Sequence, residues 1–188
     1  MESKDYRHKN ALFLDRDGVI NKRIVDGYVD CYEQFEFESK ALEALAVLSH
    51  FFEPIIVVTN QQGIGKGLMT EQDFDVITQK MIADIKNSGG RIDKVFHCPD
   101  LAQKNSFNRK PNVGMGLKAR RIFPSIRFKQ SLMVGDAFSD MVFGKRLKMK
   151  CVLIADSPLI ARREPKFVDM KFDNLYEFAK YIENEKKN

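Results

Sequence analysis

Short apolar runs alternate along this chain with stretches in which apolar residues recur every three or four positions. The first run covers residues 11–14, and a second, rich in β-branched residues, covers 55–58. Uninterrupted apolar runs of this kind are typical of strands that are buried on both faces of a parallel sheet. Further strand candidates are residues 92–98, 131–136 and 151–154, with a short edge strand at 167–170.

The stretches between the runs have the apolar period of amphipathic helices. Ser39 is the expected N-cap of a helix that continues to about His50, and residues 70–73 resemble a helix start. That second helix is expected to end near residues 89–90, a third to cover 112–123, and a last one to follow Leu175. Strand and helix alternate throughout, which predicts an α/β fold with a doubly wound, Rossmann-like parallel sheet.

Two stretches have no sustained period and are expected to border a site. Residues 19–38 form a long excursion after the first strand, and residues 99–108 are polar and irregular. Loops of this length inside a compact domain are usually functional. Neither is long enough for an independent core, so we expect a minimal cap or none.

Length and composition indicate one ordinary globular domain. The chain has 188 residues, 44% hydrophobic and 30% charged, and we expect a single domain over 1–188 with a frayed segment at 1–9. There is no apolar run of membrane-spanning length and no signal-peptide pattern at the start, so a cytoplasmic location without membrane contact is expected. Three widely spaced cysteines, Cys31, Cys98 and Cys151, argue against a disulfide framework.

The net charge of +5 is compatible with nucleic acid or with a small anionic substrate. Basic residues are spread along the chain, with local clusters at 118–121 and 145–150, and there is no basic low-complexity arm. This distribution favours a small phosphorylated substrate over nucleic acid. The pattern does not indicate an oligomeric state.

Candidate chemistry lies at the ends of the predicted strands. In open parallel sheets the ligand crevice lies outside the carboxyl ends of the strands. Singly, each polar residue there has a structural explanation, such as a turn or a helix cap. Jointly they supply a nucleophile, hard oxygen ligands for Mg²⁺ and groups that hold phosphoryl oxygens. They are Asp15 and Asp17 after the first strand, Thr59 and Asn60 after the second, Lys110 before a proline, and Asp136 with Asp140 after the fourth.

The glycine-rich segment 61–67 is not a phosphate cradle of a known type. Its spacing matches neither the dinucleotide fingerprint nor the nucleoside-triphosphate loop. We expect it to be a mobile connection beside the site.

The ordered set of motifs resembles the haloacid dehalogenase (HAD) superfamily of phosphatases over residues 10–156. The motifs are Phe-Leu-Asp-Arg-Asp-Gly-Val from residue 13, Val-Thr-Asn-Gln from 58, Arg-Lys-Pro from 109, and Val-Gly-Asp from 134 with Asp140. Their wording is closer still to the subgroup of D-glycero-D-manno-heptose 1,7-bisphosphate phosphatases and histidinol phosphatases. The resemblance implies a HAD-like fold and a magnesium-dependent phosphomonoesterase.

Roles for the residues also follow from this resemblance. Asp15 would attack phosphorus and become an aspartyl-phosphate, and Asp17 would act as acid and then as base. Thr59 and Lys110 would bind the transferring phosphoryl group. Magnesium would lie on Asp15, the main-chain carbonyl of Asp17 and Asp136, with Asp140 supporting from behind.

Asn60 and Arg109 are expected to contact the substrate. Arginine suits a second anionic group because its fork binds bidentately, and Lys104 is a weaker candidate. With so little covering the site, a small sugar or polyol carrying a second anionic group is expected, a heptose bisphosphate first.

One departure from the subgroup concerns zinc. Its members often carry Cys-x-His and then Cys-x-Cys directly before Arg-Lys-Pro, but here the two halves are Cys98-Pro99-Asp100 and Ser106-Phe107-Asn108. A single remaining cysteine does not make a closed tetrahedral site, so zinc is not expected.

Three alternatives stay open on the sequence. A histidinol-phosphate phosphatase and a polynucleotide 3′-phosphatase share the expected chemistry. A receiver-like phosphoacceptor domain is the non-enzyme alternative, although the order of its functional residues along the chain differs.

Overall fold

The computed structural model describes residues 10–154 and 165–187, so the expected frayed segment 1–9 lies outside the described residues. Six parallel strands form one sheet in the order β3-β2-β1-β4-β5-β6. The strands are β1 Asn10–Leu14, β2 Phe52–Asn60, β3 Lys94–Cys98, β4 Leu132–Gly135, β5 Lys150–Ile154 and β6 Met170–Phe172. The predicted doubly wound sheet is confirmed.

Helices cover both faces of this sheet. They are α1 Ala41–Phe51, α2 Gln62–Gly65, α3 Glu71–Asn87, α4 Gly114–Ile122, α5 Phe138–Arg146 and α6 Leu175–Lys187. Along β1 the side chains alternate, because successive residues of a strand point to opposite faces. Leu12 and Leu14 pack in a core that includes residues of α1, α3 and α6, whereas Phe13 packs with residues of α4 and α5.

The chain order places a ligand crevice at β1. From β1 the chain moves outward through β2 and β3 and then returns to β4 on the other side of β1. The order of strands therefore reverses between β1 and β4, and a crevice opens at their carboxyl ends.

The predicted start of α3 is confirmed, whereas the predicted cap of α1 and the bounds of the edge strand differ from the structure. Thr70 caps α3 in a capping box with Asp73. The expected Ser39 cap is wrong: α1 begins at Ala41, and Lys40 precedes it with a left-handed φ of 58° and no side-chain cap. The edge strand is Met170–Phe172, later than expected, because residues 165–167 form a 3-10 turn.

The remaining sequence expectations concern membranes and cysteines. None of the helices within residues 10–154 and 165–187 is long and apolar enough to cross a membrane. All three cysteines carry free thiols, and Cys98 and Cys151 are buried.

Candidate active site

The turn after β1 brings the first carboxylate against β4. Asp15 is 6% exposed, and its N–H donates to the carbonyl of Val134 at 2.9 Å. Gly18 then turns the chain with φ +84°, and a Cβ at this position would lie 2.2 Å from Oδ2 of Asp136. A glycine is required here because the turn packs directly on that carboxylate.

Three carboxylates and a lysine meet at this point. Ligand oxygens of Asp15, Asp136 and Asp140 lie within 4.8 Å of one another. Lys110 places Nζ 2.8 Å from Oδ1 of Asp15 and 2.6 Å from Oδ1 of Asp140. Asp140 is also fixed from its other oxygen, which accepts the N–H of Ala137 at 3.0 Å. The fold thus assembles four of the predicted site residues from three separate segments.

Burial dominates the electrostatics of this cluster. It raises the pKa of Asp15 to about 7, with Asp140 adding to the effect and Lys110 opposing it. Burial also raises the pKa of Asp136 to about 7, reinforced by Asp15. For Lys110, burial acts to lower the pKa, but Asp140 and Asp15 outweigh it and the pKa is raised. Lys110 is therefore a permanent cation between carboxylates that repel one another.

Asp17 has a separate set of partners. Its carboxylate accepts hydrogen bonds from Nε and Nη2 of Arg16 at 2.9–3.3 Å and from Asn21 at 3.0 Å. Burial acts to raise the pKa of Asp17, but the adjacent Arg16 guanidinium outweighs it and holds the pKa below its usual value. Without substrate, Asp17 is therefore a carboxylate.

Gln61 joins Asp17 to Thr59, and the sequence analysis did not identify it as a site residue. Its Nε2 donates to Oδ2 of Asp17 and to Oγ1 of Thr59, both at 2.8 Å. Both Gln61 and Thr59 are almost completely buried. The i, i+2 spacing from Thr59 at the same strand end was an available signal, since it favours side chains on one face.

Asn60 holds the backbone of Lys110 from both sides. Its Nδ2 donates to the carbonyl of Lys110, and its Oδ1 accepts the N–H of Lys110, both at 3.0 Å. This reciprocal pair fixes the backbone that carries the lysine. Asn60 is thus a positioning residue here, and its direct contact with substrate stays a prediction.

Arg109 lines the same cleft as Asp15. Nη1 donates to the carbonyl of Asp100 at 2.9 Å, and Nη2 donates to Oε1 of Gln62 at 3.2 Å. Gln62 in turn donates to the hydroxyl of Tyr28 at 2.9 Å, and Lys66 lies 5.3 Å from the centroid of the Tyr28 ring. These residues form a cationic rim, which we define as Tyr28, Gln62, Lys66 and Arg109.

The rim lines an open cleft of about 990 Å³ together with Asp15 and Asp17. Its walls come from the excursion after β1, from α2 and from the segment before α4. The glycine-rich segment is therefore partly helical, as α2, and it contributes Gln62 and Lys66 to the cleft. Lys104 is not among the lining residues; it is largely exposed and lies 3.6 Å from Asp100.

Arg23 is a further residue that the sequence analysis missed. Its guanidinium lies 2.8 Å from Oδ1 of Asp136, across 113 positions of the chain. In the described part of the chain, the ion pairs to the three clustered carboxylates come from Lys110 and Arg23. Two cations thus face three carboxylates.

The carboxylate cluster fits a hard divalent cation. It offers only oxygen ligands, which Mg²⁺ prefers, and the mutual repulsion of Asp15 and Asp136 would be relieved by a cation between them. Asp136 keeps 16% of its side chain exposed, whereas Asp140 is fully buried behind Lys110.

Comparisons with known proteins find relatives that match most of this chain. A family model described as polynucleotide kinase 3 phosphatase matches residues 19–173. A D-glycero-alpha-D-manno-heptose-1,7-bisphosphate 7-phosphatase of Mycobacterium bovis is 36% identical over 172 residues, covering 92% of this chain and 90% of the relative. A D-glycero-beta-D-manno-heptose-1,7-bisphosphate 7-phosphatase of Helicobacter pylori is 37% identical over 151 residues, covering 79% of this chain and 86% of the relative.

The fold has a close counterpart among solved structures. The D,D-heptose 1,7-bisphosphate phosphatase of B. bronchiseptica, complexed with magnesium and phosphate, superposes with a TM-score of 0.85 at 24% sequence identity. The match covers 94% of this chain and 99% of that chain. At this identity the likeness concerns the fold.

Proposed function

Because this chain belongs to the HAD superfamily of phosphatases, in the branch of the heptose-1,7-bisphosphate phosphatases, we propose that it removes one phosphate from D-glycero-D-manno-heptose 1,7-bisphosphate through an aspartyl-phosphate on Asp15. The observation that carries the proposal is the placement of Asp15 at the end of β1, paired with Lys110 and open to the cleft. The relatives are named phosphatases, which removes the receiver-like alternative.

In the first step, an oxygen of Asp15 attacks phosphorus and the bond between phosphorus and the sugar oxygen breaks. Lys110 and Thr59 hold the phosphoryl oxygens as charge develops on them. Asp17 gives a proton to the departing sugar oxygen. Arrival of the phosphate dianion favours protonation of Asp17 before this step, because a nearby negative charge raises the pKa of a carboxylate.

In the second step, the Asp17 carboxylate takes a proton from water, and the water oxygen attacks phosphorus. The bond between phosphorus and Asp15 breaks, which releases inorganic phosphate, restores the Asp15 carboxylate and leaves the proton from water on Asp17. Arg16 and Gln61 keep Asp17 oriented and ionised for this step. Gln61 also contacts Thr59, so the acid/base and a phosphate-binding residue share one support.

We infer that Mg²⁺ is the cofactor, held by Asp15, Asp136 and the main-chain carbonyl of Asp17, with Asp140 supporting. When bound, the ion supplies positive charge that stabilises the charge of the transferring phosphoryl group. The acidic cluster supports this assignment, as does the magnesium named with the B. bronchiseptica enzyme.

Removal of divalent cations is expected to abolish turnover, and added Mg²⁺ to restore it, because the remaining carboxylates repel the phosphate dianion. The measurement is phosphate release after chelation and after titration with Mg²⁺, together with the metal content of protein purified without added metal. Stoichiometric, tightly bound zinc in that protein would contradict the assignment of the loop before Arg109.

The cationic rim supports a second anionic group on the substrate. Lys66 and Arg109 lie in the same cleft as Asp15, but within the part of the chain that the structure describes neither forms an ion pair with a carboxylate. Lys66 also hydrogen-bonds to the Tyr28 hydroxyl, and this bond is the main cause that lowers the pKa of Tyr28. The distal phosphate of a bisphosphate would form ion pairs with Lys66 and Arg109.

Arg109→Ala is expected to raise KM for the heptose bisphosphate more than for a monophosphate. The difference should correspond to the loss of roughly 1.5–3 kcal/mol of binding free energy, the contribution of a charged hydrogen bond. Steady-state kinetics on both substrates measures the difference. Lys104→Ala is the matched control, since Lys104 carries the same charge on the same loop outside the cleft. Equal losses on both substrates in the arginine variant would rule out a distal-phosphate role.

A substrate panel tests the function as a whole. It contains both anomers of the heptose bisphosphate, histidinol phosphate and an oligonucleotide with a 3′-phosphate, and phosphate release is the readout. The name of the matching family model makes the oligonucleotide the second candidate. Preference for the oligonucleotide, or for histidinol phosphate, would replace the proposed substrate.

We also propose that residues 1–188 form a single domain and that the protein is cytoplasmic.

A further inference from the structure

The loop before Arg109 is organised around the hydroxyl of Ser106. This oxygen accepts the N–H of Asn108 at 3.3 Å, and its hydroxyl hydrogen-bonds to the Asp100 carboxylate, which is the first cause that lowers the pKa of Asp100. The buried thiol of Cys98 lies 3.6 Å from the same carboxylate and 3.9 Å from Ser106 Oγ. We call Cys98, Asp100 and Ser106 the loop cluster.

The loop cluster is tied directly to Arg109. The backbone N–H of Arg109 donates to the carbonyl of Ser106 at 3.0 Å, and its Nη1 donates to the carbonyl of Asp100 at 2.9 Å. Two members of the cluster therefore hold the backbone and the guanidinium of one residue. Asn112 reinforces the turn by donating to the Ser106 carbonyl at 3.0 Å.

A close backbone contact holds the other side of the loop against α2. A Cβ on Gly65 would lie 2.4 Å from the carbonyl oxygen of Pro99, so the loop packs on α2 at a distance that requires glycine. This contact places Gln62 of α2 where it accepts from Nη2 of Arg109. The guanidinium is thus held between Asp100 and Gln62, and Arg109 lines the cleft.

From these contacts we propose that Asp100 and Ser106 are positioning residues that set the selectivity for a bisphosphate by fixing Arg109 at the mouth of the cleft without a metal ion. The inference rests on the proposed function, since it assumes that Arg109 meets the distal phosphate. A guanidinium held in place loses less side-chain entropy when it binds an anion. Lys110 is fixed separately by its two hydrogen bonds with Asn60, so the loop cluster is expected to leave the chemistry at Asp15 unchanged.

The test is a double-mutant cycle with Ser106→Ala, Asp100→Asn and Arg109→Ala. We expect each loop variant to lower kcat/KM for the heptose bisphosphate about five- to tenfold, the size of one or two hydrogen bonds, and to change kcat/KM for a heptose monophosphate by less than about twofold. In the Arg109→Ala background the loop substitutions should have no further effect. Gln103→Ala is the matched control, because Gln103 is exposed in the same loop.

Hydrogen exchange supplies a readout that is independent of any substrate. Ser106→Ala should reduce amide protection over residues 105–109 and leave the core strands as in the wild type, whereas Gln103→Ala should leave both unchanged. Unchanged protection, or equal kinetic losses on both substrates, would overturn the inference. If Arg109→Ala alone loses selectivity, only the inference fails; if Arg109→Ala affects both substrates equally, the proposed distal-phosphate site fails with it.

Discussion

Asp15→Asn is expected to lower turnover by about 10⁴-fold or more, because an amide does not form the aspartyl-phosphate. The substitution is nearly isosteric, and it removes a buried carboxylate that is repelled by Asp140, so the fold should persist. Phosphate release under single-turnover conditions measures the loss. Far-UV circular dichroism controls for the fold, and mass spectrometry excludes deamidation back to aspartate.

Asp17→Asn is the comparison that separates the two carboxylates. With an aryl phosphate, the leaving group needs no proton, so the first step should continue while hydrolysis of the intermediate slows. An initial burst of the phenol followed by slow turnover is the expected trace. Near-normal turnover by the Asp15→Asn protein would remove Asp15 from the role of nucleophile.

Lys110→Met is expected to lower the free energy of unfolding by about 3–5 kcal/mol at neutral pH. Lys110 is 1% exposed, and its removal leaves Asp15 and Asp140 buried without their cation. Urea unfolding in the absence of divalent cations measures the free energy of unfolding. Lys118→Met on the exposed face of α4 is the matched control, expected to change it by less than about 0.5 kcal/mol.

The pH dependence of this loss has a definite sign. Burial and Asp140 raise the pKa of Asp15, and Lys110 opposes this. Without Lys110, the pKa of Asp15 therefore lies further above its value in the unfolded chain, and the folded protein binds more protons. Stability then falls as pH rises from the unfolded-state pKa toward the folded-state pKa, and the deficit should be larger at pH 8 than at pH 5. Adding Asp140→Asn to the variant should recover part of the loss. A deficit that is independent of pH would show that lost packing, and not unpaired charge, is its cause.

The sequence was informative about the polar residues at the strand ends, because each of them directly follows a strand that the local apolar pattern predicts. Asp15, Thr59 and Asp136 each follow an apolar run, and parallel strands bring their carboxyl ends to one edge. The Ser39 cap failed because a cap depends on the backbone conformation of one residue, and Lys40 takes the left-handed conformation at the start of α1.

The sequence pattern did not predict contacts between distant segments of the chain. Gln61 reaches Asp17 across 44 positions and Arg23 reaches Asp136 across 113, and no local period records such pairs. The cationic rim likewise joins the excursion after β1, α2 and the segment before α4.

By itself, the sequence determined the sheet, the strand ends that carry chemistry and the residue types available there, because apolar periodicity and turn residues act over short distances. The tertiary structure alone decided which cation neutralises which carboxylate, that Asn60 supports Lys110, and that Asp100 and Ser106 hold Arg109. Those outcomes depend on burial and on the approach of side chains a few ångströms apart, and both arise only when the separate segments pack into one core.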